Sequence, residues 1–327
     1  MAWKRTVTGV FAVVFAGALV ACGSGGGGAT GGTGLDTALS RVADNSNTRS
    51  FISYDDTAAL VKLGGKAFKP AGFSSLIGHG TGNLVDFFQI LPSQAGINVL
   101  DEQYAISAGL PPASVGLLAG GQNATAVSSK LTAQGWKKKG QLLVMLPLNL
   151  SNKLDGETTG VLSQVQMTGS DLVYGLPQAN LSMAGSPSGQ TLAQDPLIGS
   201  MANCLGDVVA ADITAKYPFG AQPPTAIAVG VSRPASNTAV PDEVVCVAWP
   251  TSAAASQYTA ALHKALSSGV SVRTNQRWSS MLSDASVTSI GGSQNVVQLR
   301  ARTPQNVLTV FDMLVSADVP GLPANLR

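Results

Sequence analysis

The chain has 327 residues, of which 45% are hydrophobic and only 12% are charged, with a formal net charge of +2. Soluble domains have about 25% charged residues, so the surface must consist largely of neutral polar side chains. Nucleic-acid binding depends on clustered Lys and Arg, and this composition argues against a nucleic-acid partner. The one basic run, Lys137-Lys138-Lys139, indicates a solvated turn or, alternatively, a patch for a ligand or a lipid headgroup.

Residues 1–21 have the three parts of an export signal. Lys4 and Arg5 precede an uncharged apolar run at 7–20, which is shorter than the roughly 20 residues that a membrane-spanning helix needs. The run ends in Leu19-Val20-Ala21-Cys22, which resembles the lipobox of bacterial lipoproteins. That resemblance implies cleavage before Cys22, lipidation of its thiol and retention on the outer face of the cytoplasmic membrane. The alternative is an ordinary secretory signal in which Cys22 is incidental.

Residues 22–34 predict a tether between this cysteine and the folded part. After Cys22 the stretch is almost entirely Gly with Ser, Ala and Thr, and it offers no large apolar side chain for burial. Removal of residues 1–21 would leave 18 of the 20 basic residues against 18 acidic ones. The processed chain would therefore be nearly neutral.

The first half of the remaining chain predicts helices and strands in alternation. Asp55 or Asp56 caps a short helix that ends before Gly64-Gly65, and strands follow at 104–107 and 115–119. Asn123 caps a helix that turns Val127 and Leu131 inward and ends at Gly135. Two further strands are expected at 142–146 and 172–174.

The second half predicts a similar order. Asp195-Pro196 begins a helix that we expect to run to about residue 215, followed by strands at 226–231 and 244–249. Ser252 caps the next helix, and strands at 287–290 and 296–302 come after it. Thr303-Pro304 opens a last helix, whose inward residues are expected to be Val307, Leu308, Phe311, Leu314 and Val315.

Both halves thus follow the order helix, strand, strand, helix, strand, strand. This order predicts an α+β fold of two similar units, 35–187 and 188–327, with mainly antiparallel sheets and a joint at 184–189. The alternative is a single larger sandwich that consists of one continuous sheet and a helical layer.

Cys204 and Cys246 are the two remaining cysteines, and outside the cytoplasm such a pair usually forms a disulfide. Cys204 falls on the apolar face of the predicted helix, and Cys246 lies in a strand with Val244 and Ala248 on the same side. The alternative is two reduced core cysteines. No His or third Cys stands at metal-ligand spacing, so we expect no metal site.

No catalytic constellation is evident, and no cofactor is expected. His79 lies in Gly78-His79-Gly80-Thr81-Gly82, which lacks the Lys-Ser/Thr of a phosphate loop. This stretch predicts a mobile surface loop or, alternatively, an anion cradle at a helix N-terminus. The adjacent carboxylates Asp55-Asp56 and Asp101-Glu102 indicate caps or solvated turns.

The absence of catalytic motifs favours a binding role at the cell exterior. The long insertion at 65–98 is the predicted ligand-binding element, with Phe68, Phe73, His79 and Phe87 as candidate contacts. The ligand is a small molecule, a peptide, a glycan or an envelope protein. Two other functions remain open: a secreted hydrolase with an unrecognised active site that involves His79, and an envelope assembly factor.

Overall fold

The computed structural model describes residues 34–64, 72–145, 156–215, 223–303 and 306–323, which form an α+β structure as predicted. Its strands are β1 (Ile52–Asp55), β2 (Tyr104–Ala108), β3 (Val115–Ala119), β4 (Lys137–Lys139), β5 (Leu142–Val144), β6 (Gln164–Thr168), β7 (Asp171–Gly175), β8 (Val208–Thr214), β9 (Ala226–Ser232), β10 (Asp242–Ala248), β11 (Ser283–Ile290) and β12 (Val296–Arg302).

The helices cover both faces of these strands. They are α1 (Gly34–Leu39), α2 (Thr57–Gly64), α3 (Leu91–Gln94), α4 (Ala124–Ala133), α5 (Gly156–Val161), α6 (Pro196–Leu205), α7 (Ser252–Ser268), α8 (Trp278–Met281) and α9 (Thr309–Val315). More tightly wound 3₁₀ segments occupy Phe73–Leu76, His79–Phe87, Leu181–Met183 and Leu192–Gln194. None of the helices in the described ranges combines the length and apolarity that crossing a bilayer requires.

The strands form one antiparallel sheet instead of a separate sheet for each half. Their order is β11-β12-β10-β9-β8-β1-β2-β3-β7-β6-β5-β4. The halves 35–187 and 188–327 contribute opposite ends of the sheet, which meet where β1 pairs with β8. Outward from this pair the first half has the order β1-β2-β3-β7-β6-β5-β4 and the second half has β8-β9-β10-β12-β11. In both halves the first three strands follow chain order and the fourth and fifth positions are reversed, but the first half has two further strands.

The sheet has two buried faces. Among the described residues, the first face carries one apolar cluster, to which α1 and α6 contribute Leu35, Leu39, Ile198 and Met201. The second carries two separate apolar clusters, one under α2 and α7–α9 and the other under α3 and α4. β10 shows the predicted alternation, because Val244, Cys246 and Ala248 belong to the first face while Val245, Val247 and Trp249 belong to the second.

Several features that the sequence predicts locally are confirmed by the structure. Asn123 caps α4 by accepting from the Ala126 amide, and Asp195 caps α6 by accepting from the Leu197 and Ile198 amides. The predicted disulfide joins Cys204, at the end of α6, to Cys246 in β10, with an S–S distance of 2.04 Å. It links a helix and a strand that are 42 residues apart in the chain.

Other predicted elements are wrong. The helix predicted at 196–215 ends at Leu205, because Gly206 takes a positive φ of 72° that breaks the helix. The following Val208–Thr214 is rich in β-branched residues and forms the fully buried β8. β1 was not predicted as a strand either. The pairing of β1 with β8 joins the two halves of the sheet.

Two surface predictions also need correction. Lys137–Lys139 form the edge strand β4, not a turn, with all three side chains exposed. Charges on an edge strand discourage pairing with another chain. Val315 is 79% exposed at the end of α9, whereas Val310, Phe311, Met313 and Leu314 are buried.

Candidate functional site

A row of polar and small residues crosses the second face between its two apolar clusters. Strand register places Asp212 opposite Ser53, Ser53 opposite Ser107, Ser107 opposite Gly116, and Gly116 opposite Tyr174. We call these five residues the polar row. The alternation of side chains along each strand sends their apolar neighbours, such as Ile52 and Tyr54, to the first face. The row therefore crosses β8, β1, β2, β3 and β7 at the junction of the two halves.

The 3₁₀ segment His79–Phe87, which we call the His79 segment, lies on this row. Gly80 permits the contact, because a Cβ there would lie 2.3 Å from the Ala105 carbonyl oxygen. The Tyr174 hydroxyl donates to the Thr81 carbonyl at 2.6 Å. The glycine-rich stretch is thus packed on the sheet, and the predicted mobile surface loop is wrong.

His79 fastens this segment to the polar row. Its Nε2 lies 2.8 Å from Asp212 Oδ1, and its ring packs on Phe311 with 4.3 Å between ring centroids. Burial by itself lowers the pKa of His79, but the hydrogen bond and charge of Asp212, with the charge of Asp55, outweigh it. The pKa of His79 is therefore raised above its ordinary value, which favours the charged imidazolium and an ion pair with Asp212.

Ser53 completes this network in an order unlike that of a hydrolytic triad. Its Oγ donates to Asp212 Oδ1 at 2.7 Å, the same oxygen that binds His79. In a triad the hydroxyl donates to the imidazole, which removes its proton. Here the carboxylate stands between the two groups, so it fixes the Ser53 hydroxyl and leaves its lone pairs able to accept a hydrogen bond.

A second buried group lies beneath the His79 segment. Asp55 is 0% exposed and accepts from the Gly80 amide at 2.8 Å and from the Thr57 hydroxyl at 2.6 Å. The glycine-rich stretch thus binds an anion of its own chain. Glu102 is also buried, and its Oε1 lies 3.3 Å from Thr57 Oγ1. These two carboxyls are neither caps nor solvated groups, whereas Asp56 does cap α2 by accepting from the Ala59 amide.

Burial governs the protonation of both carboxyls. Desolvation raises the pKa of Asp55 to about 6, although the hydrogen bonds from Thr57 and Gly80 and the charge of His79 partly oppose it. Desolvation and the nearby Asp55 raise the pKa of Glu102 well above its ordinary value. Glu102 Oε2 is buried and has no hydrogen-bond partner among the described residues. A neutral Glu102 fits this environment, since it carries no unpaired buried charge.

A cleft of about 270 Å³ opens on the polar row beside the His79 segment. Ser53, Ser107 and Tyr174 form part of its surface. None of the described residues that line it is charged, and most are apolar or glycine. The other lining residues are Phe51, Thr81, Gly82, Gly109, Leu110, Pro111, Ser114, Val115, Gly116, Val161, Gly175 and Leu176.

The candidate residues from the sequence lie in different places. Phe68 and Cys22 fall outside the described residues. Phe73 is buried in the apolar cluster under α2 and α7–α9, and Phe87 packs against the cluster under α3 and α4. Of the three described candidates, His79 is the one that contacts the polar row. Within the described ranges, no three His, Cys, Asp or Glu side chains are grouped closely enough to hold a metal.

Sequence reasoning missed Ser53, Ser107 and Asp212. A signal was present, because Ser53 alternates with apolar Ile52 and Tyr54, and Asp212 interrupts an apolar run. Period-two alternation marks a strand with one polar side. Comparison with known proteins identifies no matching family, no similar curated protein and no similar solved structure.

Proposed function

We propose that this protein is a lipid-anchored extracytoplasmic binding protein that holds a small, neutral and largely apolar molecule in the cleft on the polar row. The observation that carries the proposal is a cleft whose described lining has no charged residue and combines apolar walls with a few fixed polar groups. Small-molecule sites commonly combine these features. An apolar cavity of about 150 Å³ accepts benzene, so a cleft of about 270 Å³ suits roughly ten to twelve non-hydrogen atoms.

The cleft wall is held in place before a ligand arrives. Thr81 and Gly82 of the His79 segment line the cleft. The His79–Asp212 pair and the Tyr174–Thr81 hydrogen bond fasten this wall to two different strands. A preformed site loses less conformational entropy on binding, which supports a binding role.

The membrane anchor is the second part of the proposal. The lipobox-like Leu19-Val20-Ala21-Cys22 supports lipidation of Cys22, and the glycine-rich composition that follows it supports a tether up to α1, which begins at Gly34. In cell fractionation, the wild type should be found with membranes and Cys22→Ser should not yield the processed, lipid-bearing form. An unmodified Cys22 thiol in mass spectra of the processed wild type would contradict the anchor.

We further propose that the two halves are similar units. The shared strand order supports this, as do α4 and α7, each of which follows the third strand of its half. Each half would then supply one residue of the central hydrogen bond: Ser53 comes from β1 and Asp212 from β8. The binding site would lie at the junction of the units.

The binding proposal is tested by closing the cleft. Saturation-transfer NMR with neutral alcohols, ketones and arenes of six to ten carbons measures binding to the expected processed chain, residues 22–327, with Cys22→Ser. Val161 lines the cleft from α5, so Val161→Trp should fill it and abolish the signals. Val315→Trp is the matched control, since it adds the same ring at an exposed position on α9. Equal signals from both variants would refute the cleft as the binding site.

A further inference from the structure

We infer that the ligand of this cleft carries a hydroxyl group, which Ser53 and Ser107 bind at the cleft floor while the apolar wall holds the hydrocarbon body. This inference rests on the proposed binding function and names the chemical class of the ligand. It starts from the facing positions of the two serines on β1 and β2.

The two hydroxyls offer different hydrogen-bonding roles. The Ser53 hydroxyl already donates its hydrogen bond to Asp212, so towards the cleft Ser53 can only accept. Ser107 Oγ makes no side-chain hydrogen bond with the residues that the structure describes, so it can donate or accept. A hydroxyl is both a donor and an acceptor, so one such group satisfies both serines by donating to Ser53 and accepting from Ser107.

The spacing of the serines suits a single oxygen atom. Directly opposite residues of an antiparallel pair have Cβ atoms about 4.5–5.5 Å apart. An oxygen between their hydroxyls can make two hydrogen bonds of about 2.8 Å. The remaining described walls, which include Leu110, Val161 and Leu176, offer hydrocarbon contact and no further charge.

Other polar groups match this floor less well. A ketone or an ether only accepts, so it leaves Ser53 without a donor. A carboxylate would be placed near the Asp212 carboxylate behind Ser53, and an ammonium would compete with His79 for that carboxylate. Burial of an uncompensated charge is costly, so both ions should bind more weakly than an alcohol.

The test compares two isomers that differ in this one property. Octan-1-ol and heptyl methyl ether have the same formula, but only the alcohol can donate a hydrogen bond. NMR titration of the processed chain with Cys22→Ser gives a Kd for each, with octanoate and octylammonium as charged probes. We expect the alcohol to bind about fivefold more tightly than the ether, the usual effect of one hydrogen bond. Both ions should bind more weakly than the alcohol.

Substitutions of the two serines test whether they cause the preference for the alcohol over the ether. Ser53→Ala should bring the alcohol-to-ether ratio close to one, whereas Ser53→Thr keeps the hydroxyl and should preserve it. Ser107→Ala should weaken both isomers by a similar factor, since Ser107 can donate to either oxygen, and it provides a second test if Ser53→Ala does not fold. Equal binding of the two isomers by the wild type would overturn the hydroxyl inference and leave the cleft intact. Failure of both isomers to bind would instead count against the proposed binding function.

Discussion

Replacing Glu243 with Gln should stabilise the protein at alkaline pH. Glu243 is 1% exposed in β10, where it accepts from the Thr303 hydroxyl and, at 3.1 Å, from the Val310 amide at the start of α9. Desolvation raises the pKa of Glu243 from 4.5 to about 7, although both hydrogen bonds partly oppose it. Thr303 Oγ1 also lies 2.9 Å from the Asn306 carbonyl, so a protonated Glu243 can donate to Thr303 while Thr303 donates onward.

The sign of the pH effect follows from this raised pKa. Below pH 4.5 the carboxyl is protonated in both the folded and the unfolded chain, and its stabilising contribution is complete. That contribution is lost as the pH rises through about 7, because only the unfolded chain ionises freely. The rise of the Glu243 pKa from 4.5 to about 7 corresponds to about 3 kcal/mol. Gln cannot ionise, so Glu243→Gln should gain up to about 3 kcal/mol relative to the wild type between pH 4.5 and 8.

Urea unfolding of both proteins across this pH range measures the gain directly. The difference between their free energies of unfolding removes the contributions of the other titrating groups. Asp86→Asn is the control, since Asp86 is exposed and its substitution should change the free energy of unfolding by no more than about 0.5 kcal/mol. A flat difference for Glu243→Gln, or one that falls as the pH rises, would refute the argument from burial.

Three further predictions concern the disulfide, the polar row and His79. Replacing both Cys204 and Cys246 with Ser should cost about 4 kcal/mol in the chain-entropy model for a 42-residue separation, and unchanged urea unfolding would contradict it. Gly116→Ala should destabilise by about 1–3 kcal/mol or more, because its Cβ would lie 2.2 Å from the facing tyrosine ring. Gly160→Ala should be tolerated, because no atom of the described residues lies within 4 Å of the added Cβ, and equal melting temperatures for the two variants would refute the packing. NMR titration of His79 should give a pKa above 6.5, and a value at or below it would contradict the pairing with a carboxylate.

The helices and strands that could be predicted from the sequence are those determined by interactions between residues close together in the chain. Asn123 and Asp195 cap their helices through amides two or three residues away, and the alternation in β10 places Cys246 on the face that meets α6. These signals depend on neighbouring residues alone. These local signals therefore predict the α+β class, and the even pair of cysteines predicts the disulfide.

The centre of the sheet could not be predicted in the same way. β1 has four residues and includes a buried Asp55, and β8 includes a buried Asp212, so both contradict the expectation that buried strands are apolar. Their carboxyls are tolerated because His79, Ser53 and the Gly80 amide satisfy them. These partners come from distant parts of the chain, and only strand register brings them together.

The residues of the candidate site could not be predicted for the same reason, because only long-range strand pairing brings them together. The place of Phe73 and Phe87 in a long insertion favours ligand contact, but Phe73 belongs to one apolar cluster and Phe87 packs against another. Ser53 and Ser107 are 54 positions apart and face each other only through the pairing of β1 with β2. The lipobox prediction for Cys22 is independent of the fold and remains a prediction.

The most direct test of a ligand-binding cleft is to identify what the protein carries when it is purified from cells. Solvent extraction followed by gas chromatography–mass spectrometry should release a neutral molecule of about ten to twelve non-hydrogen atoms from the wild type and from Val315→Trp, but not from Val161→Trp. Identical extracts from all three proteins, with no compound that depends on an open cleft, would contradict the account.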